Sequence, residues 1–378
     1  MRVKFTALVL FTVVSMWASA EESVYSKPTR ADYPRDVFFG DTHLHSRLSA
    51  DAYSLGNMNL TQADAYRFAQ GQAMTAHNGM QVQLRRPLDF LVVSDHSEYL
   101  GGFYRYNVND PSVINTEAAK VWKAALEAGD PNALIAAFSA SMQDPENNPA
   151  FPESVRQSIW QEVAETADHY NKPGQFTALI GYEWTVAIRG NNLHRVVVYR
   201  DGADKVAQLP PFSGQDSLDP RDLWAALGRY EKKTGGQVMA IAHNGNISNG
   251  MMFPNETIDG KPLTKKYAET RSRWEPIYEV TQVKGDGEAH PILSPSDEFA
   301  DFENWDKDNI GRTAKKENWM LQHEYARSAL KLGLDFEASL GVNPFKIGLI
   351  GSTDGHNSLS TPEEDNFFGK FPATEPHP

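Results

Sequence analysis

Seven short runs of apolar and β-branched residues constrain the fold more than any other feature. They lie at residues 37–40, 88–94, 176–182, 195–199, 237–242, 277–282 and 345–351. Each is bounded by Gly, Pro, Asn or charge, as strands usually are. Helical patterns fall between several of them. Thr61 can cap a helix, with Asp64 three residues on, and apolar i, i+3, i+4 spacing runs through 115–128, 133–142 and 154–170. Residues 219–233 open with Asp-Pro-Arg-Asp, a helix N-terminus, and 319–332 read as a further helix. Strands alternating with helices predict a parallel α/β fold, open or closed into a barrel. Two connections are long: 101–175, mostly helical, after the second strand, and 251–276, mostly irregular, after the fifth. With no internal repeat or linker, residues 21–378 read as one domain carrying these two insertions.

The first twenty residues stand apart. Arg2 and Lys4 precede an apolar run at 5–17 that ends in Ala18-Ser19-Ala20, before Glu21-Glu22. This is the pattern of a secretory signal peptide cleaved near Ala20, and it predicts a periplasmic or secreted protein. No later segment is long and apolar enough to span a bilayer. Cleavage removes two positive charges and takes the formal net charge from −13 to −15. That acidity argues against a nucleic-acid sleeve or an anionic-membrane binder. The absence of Cys rules out disulfides, thiolate nucleophiles and Cys-ligated zinc. Any chemistry must come from His, carboxylates, hydroxyls, Lys or Arg.

Those residues gather at the strand ends. The first strand runs into His43-x-His45, whose side chains share a face because they are two apart, and Asp51 follows. The second ends in Asp95-His96 and the third in Glu183. His194 opens the fourth, the fifth ends in His243-Asn244, and the seventh in Asp354-Gly355-His356. In α/β folds the active site lies beyond the carboxyl ends of the strands. The set therefore predicts a metal site, and its imidazole and carboxylate donors suit Zn, Mn or Fe. There are more donors than one ion needs, so Glu183 can bridge two ions, an arrangement used in phosphoryl hydrolysis.

The strings FFGDTHLHS, DFLVVSDHSEYLG, GYEWT, NLHRVVVY, TQVKGDGEAHP and GSTDGHN carry a resemblance. In this order they resemble the PHP (polymerase and histidinol phosphatase) superfamily, and within it the branch DUF3604, from about Asp36 to the C-terminus. The resemblance implies a distorted (β/α)7 TIM-like barrel with up to three metal ions. By position, His43, His45, Glu183 and Asp354 would hold the first ion, Glu183, His194 and His243 the second, and Asp51, His96 and His356 the third. Asp51 stands where many members carry His. The 22 residues after His356 contain no readable closing helix.

The expected activity is hydrolysis of a phosphate mono- or diester, a small anionic substrate. A bridging water would attack as hydroxide, with Glu183, Asp354 and His356 in catalytic roles. Arg47, Arg195 and Lys284 are candidates to bind the anion. Glu279, Glu288 and His290, on a loop made flexible by Gly285 and Gly287, are candidates to line the pocket. Asp95 and Asn244 are expected to orient ligands. Tyr182 and Trp184 are expected to pack the core, and His77, His169, His323 and His377 to lie outside the site. The alternatives are metal-dependent hydrolysis of a carboxylic ester, amide or sulfate ester, or an exported metal- or anion-binding protein without turnover. Oligomeric state is not encoded in any of these features.

Overall fold

The structure, a computed structural model, describes residues 36–377. The signal peptide expected at residues 1–20 lies outside them. Seven strands form one sheet in chain order: β1 (Gly40–Leu44), β2 (Phe90–Val93), β3 (Thr177–Trp184), β4 (Arg195–Tyr199), β5 (Val238–His243), β6 (Ile277–Gln282) and β7 (Gly348–Gly351). Beyond β7 the chain returns to β1. Leu44 bridges Gly355 in parallel, His45 N donates to Gly355 O at 2.8 Å, and Asp354 N donates to His43 O at 2.8 Å. The result is a nearly closed, barrel-like sheet accompanied by twelve α-helices among the described residues.

One strand departs from the expected parallel sheet. β4 is antiparallel to both β3 and β5, while the remaining neighbours pair in parallel. The cause is the length of the connection. Only ten residues, 185–194, join β3 to β4, and a parallel crossover needs about a dozen or more. They form a small hairpin instead, with Ala187–Ile188 paired to Asn191–Asn192.

Strand alternation divides the core into two faces. Val92, Val196, Val198 and Ile241 cluster inside the sheet with Leu179, Met239, Ile277 and Ile350. Their neighbours Leu91, Val93, Ile180, Tyr182, Val197 and Ala240 face outward into the larger helical core. Gly181 faces inward where the strands converge. A Cβ there would lie 2.5 Å from Val92 Cγ1 and 2.7 Å from Val197 O. Tyr182 and Trp184 are both buried, as expected of core residues.

The helices form where the sequence signals them. In α1 (Gln62–Ala69), Thr61 Oγ1 accepts from Asp64 N at 3.0 Å and Asp64 Oδ2 accepts from Thr61 N at 2.8 Å. The segment after β2 supplies α2 (Glu117–Ala128), α3 (Pro131–Ser141) and α4 (Glu153–Tyr170). α4 covers β3, and its Trp160 packs edge-on to Tyr182 at 5.6 Å. α5 (Pro220–Thr234) starts at an Asp219 cap, as its sequence signals. The insertion after β5 is less irregular than expected, because Thr264 caps α6 (Lys265–Trp274).

The helix expected at 319–332 is two helices, Asn318–Leu321 and α7 (Ala326–Leu340). Tertiary bonds replace the helical ones between them. His323 O accepts from Phe253 N at 2.9 Å, and Glu324 Oε1 takes Lys316 Nζ at 2.6 Å and Gly250 N at 3.0 Å. After β7 the described residues form only short 3₁₀ turns, at Glu364–Asn366 and Pro372–Thr374. No helix among the described residues is long and apolar enough to cross a membrane.

Candidate metal centre

The inward-facing rows that are apolar low in the barrel become polar at its carboxyl end. His43 and His45 continue the inward row of β1, His96 that of β2, Glu183 that of β3 and His243 that of β5. Because β4 runs backwards, its first residues lie at this same end, which brings His194 to the others. Asp354 and His356 arrive on the segment after β7. Asp354 adopts φ +51°, a left-handed backbone that costs a non-glycine residue on the order of 1 kcal/mol. Its N–H bond to His43 O holds it there.

Three groups among the described residues could hold a metal ion: His45, Asp51, His96 and His356, buried but for the half-buried Asp51; and, wholly buried, His43, Glu183 and His243, and His43, His45 and Asp354. In each group the donor atoms lie within 4.8 Å of one another. Glu183 joins these groups. Its Oε2 is 3.2 Å from His43 Nε2, 3.3 Å from His45 Nε2 and 3.2 Å from His96 Nδ1. Its Oε1 is 2.8 Å from His194 Nδ1 and 2.9 Å from His243 Nε2. Asp354 Oδ1 lies 3.3 Å from both His43 Nε2 and His45 Nε2. Asp51 Oδ2 meets His96 Nε2 at 3.0 Å and His356 Nε2 at 2.7 Å.

The donor set fits divalent cations. His45 Nε2, His194 Nε2, His243 Nδ1 and Asp354 Oδ1 are buried without a hydrogen-bond partner. Each such orphan costs about 1–3 kcal/mol. His45 Nε2 and Asp354 Oδ1 converge at 3.3 Å, where a shared cation would satisfy both, whereas His194 and His243 meet Glu183 through their other ring nitrogens. For Glu183, His45 and His194 the electrostatics agree. Burial works against the Glu183 carboxylate, but the imidazoles of His96, His243 and His43 hold it well below the usual carboxylate range. Burial also lowers His45 to about 4 and His194 to about 3, keeping both neutral and able to donate a lone pair. For His43 the carboxylates of Glu279 and Glu183 outweigh burial and raise it to about 9.

Other side chains fix the orientation of the imidazoles. Glu279 embraces His43 Nδ1 with both oxygens, at 3.0 and 3.2 Å, and so orients that imidazole. Ser49 Oγ lies 3.0 Å from His45 Nδ1, Thr185 Oγ1 bonds His96 Nδ1, and Asp354 O lies 2.8 Å from His356 Nδ1. A carboxylate behind a ligating imidazole typically contributes 10–100-fold in metal affinity. Glu279→Gln is therefore expected to weaken metal binding about tenfold in a chelator competition; unchanged affinity would remove Glu279 from this role.

Asp95 makes no hydrogen bond to these imidazoles among the described residues. It accepts from Ser46 N at 2.6 Å and Ser46 Oγ at 2.7 Å, and so ties down the loop after His45. Asn244 acts at one remove. Its Oδ1 accepts at 2.7 Å from Gln282 Nε2, which also donates to Asp354 Oδ2 at 2.7 Å.

Of the cations considered from sequence, Lys284 is at the centre, ion-paired to Asp354 Oδ2. Arg195 is not. It neighbours inward-facing His194, so strand alternation turns it outward, where it is buried against Glu275 Oε1 at 2.9 Å. Arg47 lies over the Tyr104 ring at 3.9 Å. Glu288 and His290 also fall outside. The loop they follow is an ordered antiparallel turn back onto β6, with Gln282 paired to Gly285. Gly285 sits at φ +108°, where a Cβ would lie 2.9 Å from Trp305 Cβ. The turn sends Glu288 to Arg327 at 2.7 Å and His290 to Asp306 at 3.1 Å. His77 bonds Glu375 and Asn57, and His323 bonds Phe253 O, all apart from the centre.

Sequence reading missed Lys370. The tail carries it back over the barrel, 3.0 Å from Asp354 Oδ2 and 3.3 Å from His356 Nδ1. Burial lowers its pKa to about 8 against the pull of Asp51. A cavity of about 350 Å³ opens above the centre, with Asp51, His96, His194, His356, Lys284 and Lys370 among its walls.

Fold and site together define an α/β protein with a buried histidine–carboxylate centre able to hold metal. A family model described as "Protein of unknown function (DUF3604)" matches residues 32–378, so the chain belongs to that family. A search of the curated proteins returns no match.

Proposed function

We propose that the protein is an exported, metal-dependent hydrolase of phosphate mono- or diesters, built on a distorted (β/α)7 barrel of the PHP type with β4 reversed. One observation carries this reading. The two oxygens of Glu183 are divided between two sets of imidazoles, as a carboxylate shared by two ions would be. The motif order and the return of the sheet onto β1 support the superfamily assignment. The pattern of residues 1–20 supports export.

His43, His45, Glu183 and Asp354 would hold one ion, Glu183, His194 and His243 a second, and Asp51, His96 and His356 a third. When bound, divalent ions supply positive charge to the ester oxygens and acidify a water molecule. The chain does the rest. Asp354 Oδ2 and Gln282 set the position of Lys284 and Lys370. The two lysine amino groups face the cavity and donate to the non-bridging phosphate oxygens. Burial pushes Lys284 well below its ordinary range, and Lys370, at about 8, carries the positive charge at neutral pH. The surrounding groups exclude bulk water, which strengthens those interactions. In the balanced reaction, water oxygen bonds to phosphorus, the ester P–O bond breaks with its electron pair going to the leaving oxygen, and a proton from water ends on that oxygen.

The test is an ester panel on protein loaded with Zn or Mn: nitrophenyl phosphate monoester and diester against the carboxylic and sulfate esters. Turnover of a phosphate ester at least 100-fold above the others is expected. Selective turnover of a carboxylic or sulfate ester would reassign the bond.

A further inference from the structure

The cavity above the centre has two unlike walls. Its floor is polar: Asp51, His96, His194, His356, Lys284 and Lys370. Its sides come from outside the barrel and are largely apolar, with Ser139, Gln143 and Arg312 among them. Phe138 and Met142 lie on and just beyond α3, Ile310 on the segment between β6 and α7, and Phe371 on the tail. The two aromatic rings meet the floor directly. Phe138 packs on the His96 ring at 4.9 Å and Phe371 on the His356 ring at 5.2 Å. An apolar ring would gain burial there. At about 350 Å³ the cavity is at the small end of ligand pockets, with room for one compact organic group.

From this arrangement we propose a substrate class: a small ester whose organic part is a flat, apolar ring seated between Phe138 and Phe371, and whose anionic head lies on Lys284 and Lys370. The proposal rests on the phosphoesterase reading for the identity of the head, but not for the ring slot. In the reaction the ring leaves as its hydroxyl compound and the head as inorganic phosphate, one water being consumed.

Binding tests it without turnover. Phenylphosphonate and methylphosphonate are titrated by calorimetry into protein loaded with Zn or Mn. The phenyl compound is expected to bind about tenfold tighter or more. Phe138→Ala is expected to remove that preference while leaving methylphosphonate binding unchanged. Phe371→Ala, at a less buried position, is the second variant should Phe138→Ala disturb folding. Benzenesulfonate against methanesulfonate, and phenylacetate against acetate, are run in parallel. A ring preference seen only with these anions keeps the slot and overturns the phosphate reading. No ring preference with any anion, or a preference that survives both variants, overturns the slot.

Discussion

Glu183→Ala is expected to lower the kcat of the proposed hydrolase by about 10³-fold or more, because a carboxylate shared by two ions would contribute to both and each would supply several kcal/mol to the reaction. The effect should fall on turnover and bound metal together and leave the fold intact, since the side chain lies at the mouth of the barrel rather than in its apolar layer. Glu183→Gln separates charge from shape. It keeps the packing but removes the charge that holds His43, His96, His194 and His243 around one carboxylate, and it should lose nearly as much activity as the alanine variant. Turnover and metal content measured on the same preparations check this. Wild-type turnover in either variant would remove Glu183 from its bridging position.

The second large effect is on stability. Without metal, His45 Nε2 and Asp354 Oδ1 face each other at 3.3 Å, both buried and without a hydrogen bond. An ion present at a thousand times its Kd stabilises by about 4 kcal/mol, a Tm shift on the order of 10 °C. Chelation should therefore lower Tm by at least that much, and adding Zn or Mn should restore it. The chelated protein should also be sensitive to acid. His45 and His194 titrate at about 4 and about 3 when folded, below the ordinary 6.5. As pH falls, the unfolded chain takes up protons first. Their stabilising contribution is thus present above about 6.5 and lost toward pH 4, about 2 kcal/mol for each histidine between pH 6.5 and 5. His43, raised to about 9, works in the other direction: its contribution is complete below 6.5 and lost as pH rises through 9. Urea unfolding of chelated protein at pH 5, 6.5 and 9 reads both limbs.

Much of this centre was legible in the chain because strand alternation is a local rule. His43-x-His45 share a face for that reason alone, and the ends of β2, β3 and β5 showed their His96, Glu183 and His243 directly. The same rule, applied to His194, turns Arg195 away from the centre. The reversal of β4 was also written locally, in a ten-residue connection too short for a crossover. What could not be read depends on distant contacts. Lys370 and Phe371 belong to a stretch with no periodicity, and only the closing of the sheet near Gly355 carries them over the centre. Glu288 and His290 follow two glycines that suggest a mobile loop, whereas pairing with β6 makes an ordered turn that points them elsewhere. The break between Leu321 and Ala326 likewise arises from bonds to Phe253, Gly250 and Lys316 that no helical pattern records.

Elemental analysis of the purified protein, before and after incubation with Zn or Mn and gel filtration, tests the central claim most directly. Two to three tightly held divalent ions per chain are expected, falling in Glu183→Ala. A chain that retains no ion under either condition would contradict the metal centre and, with it, the hydrolase built on it.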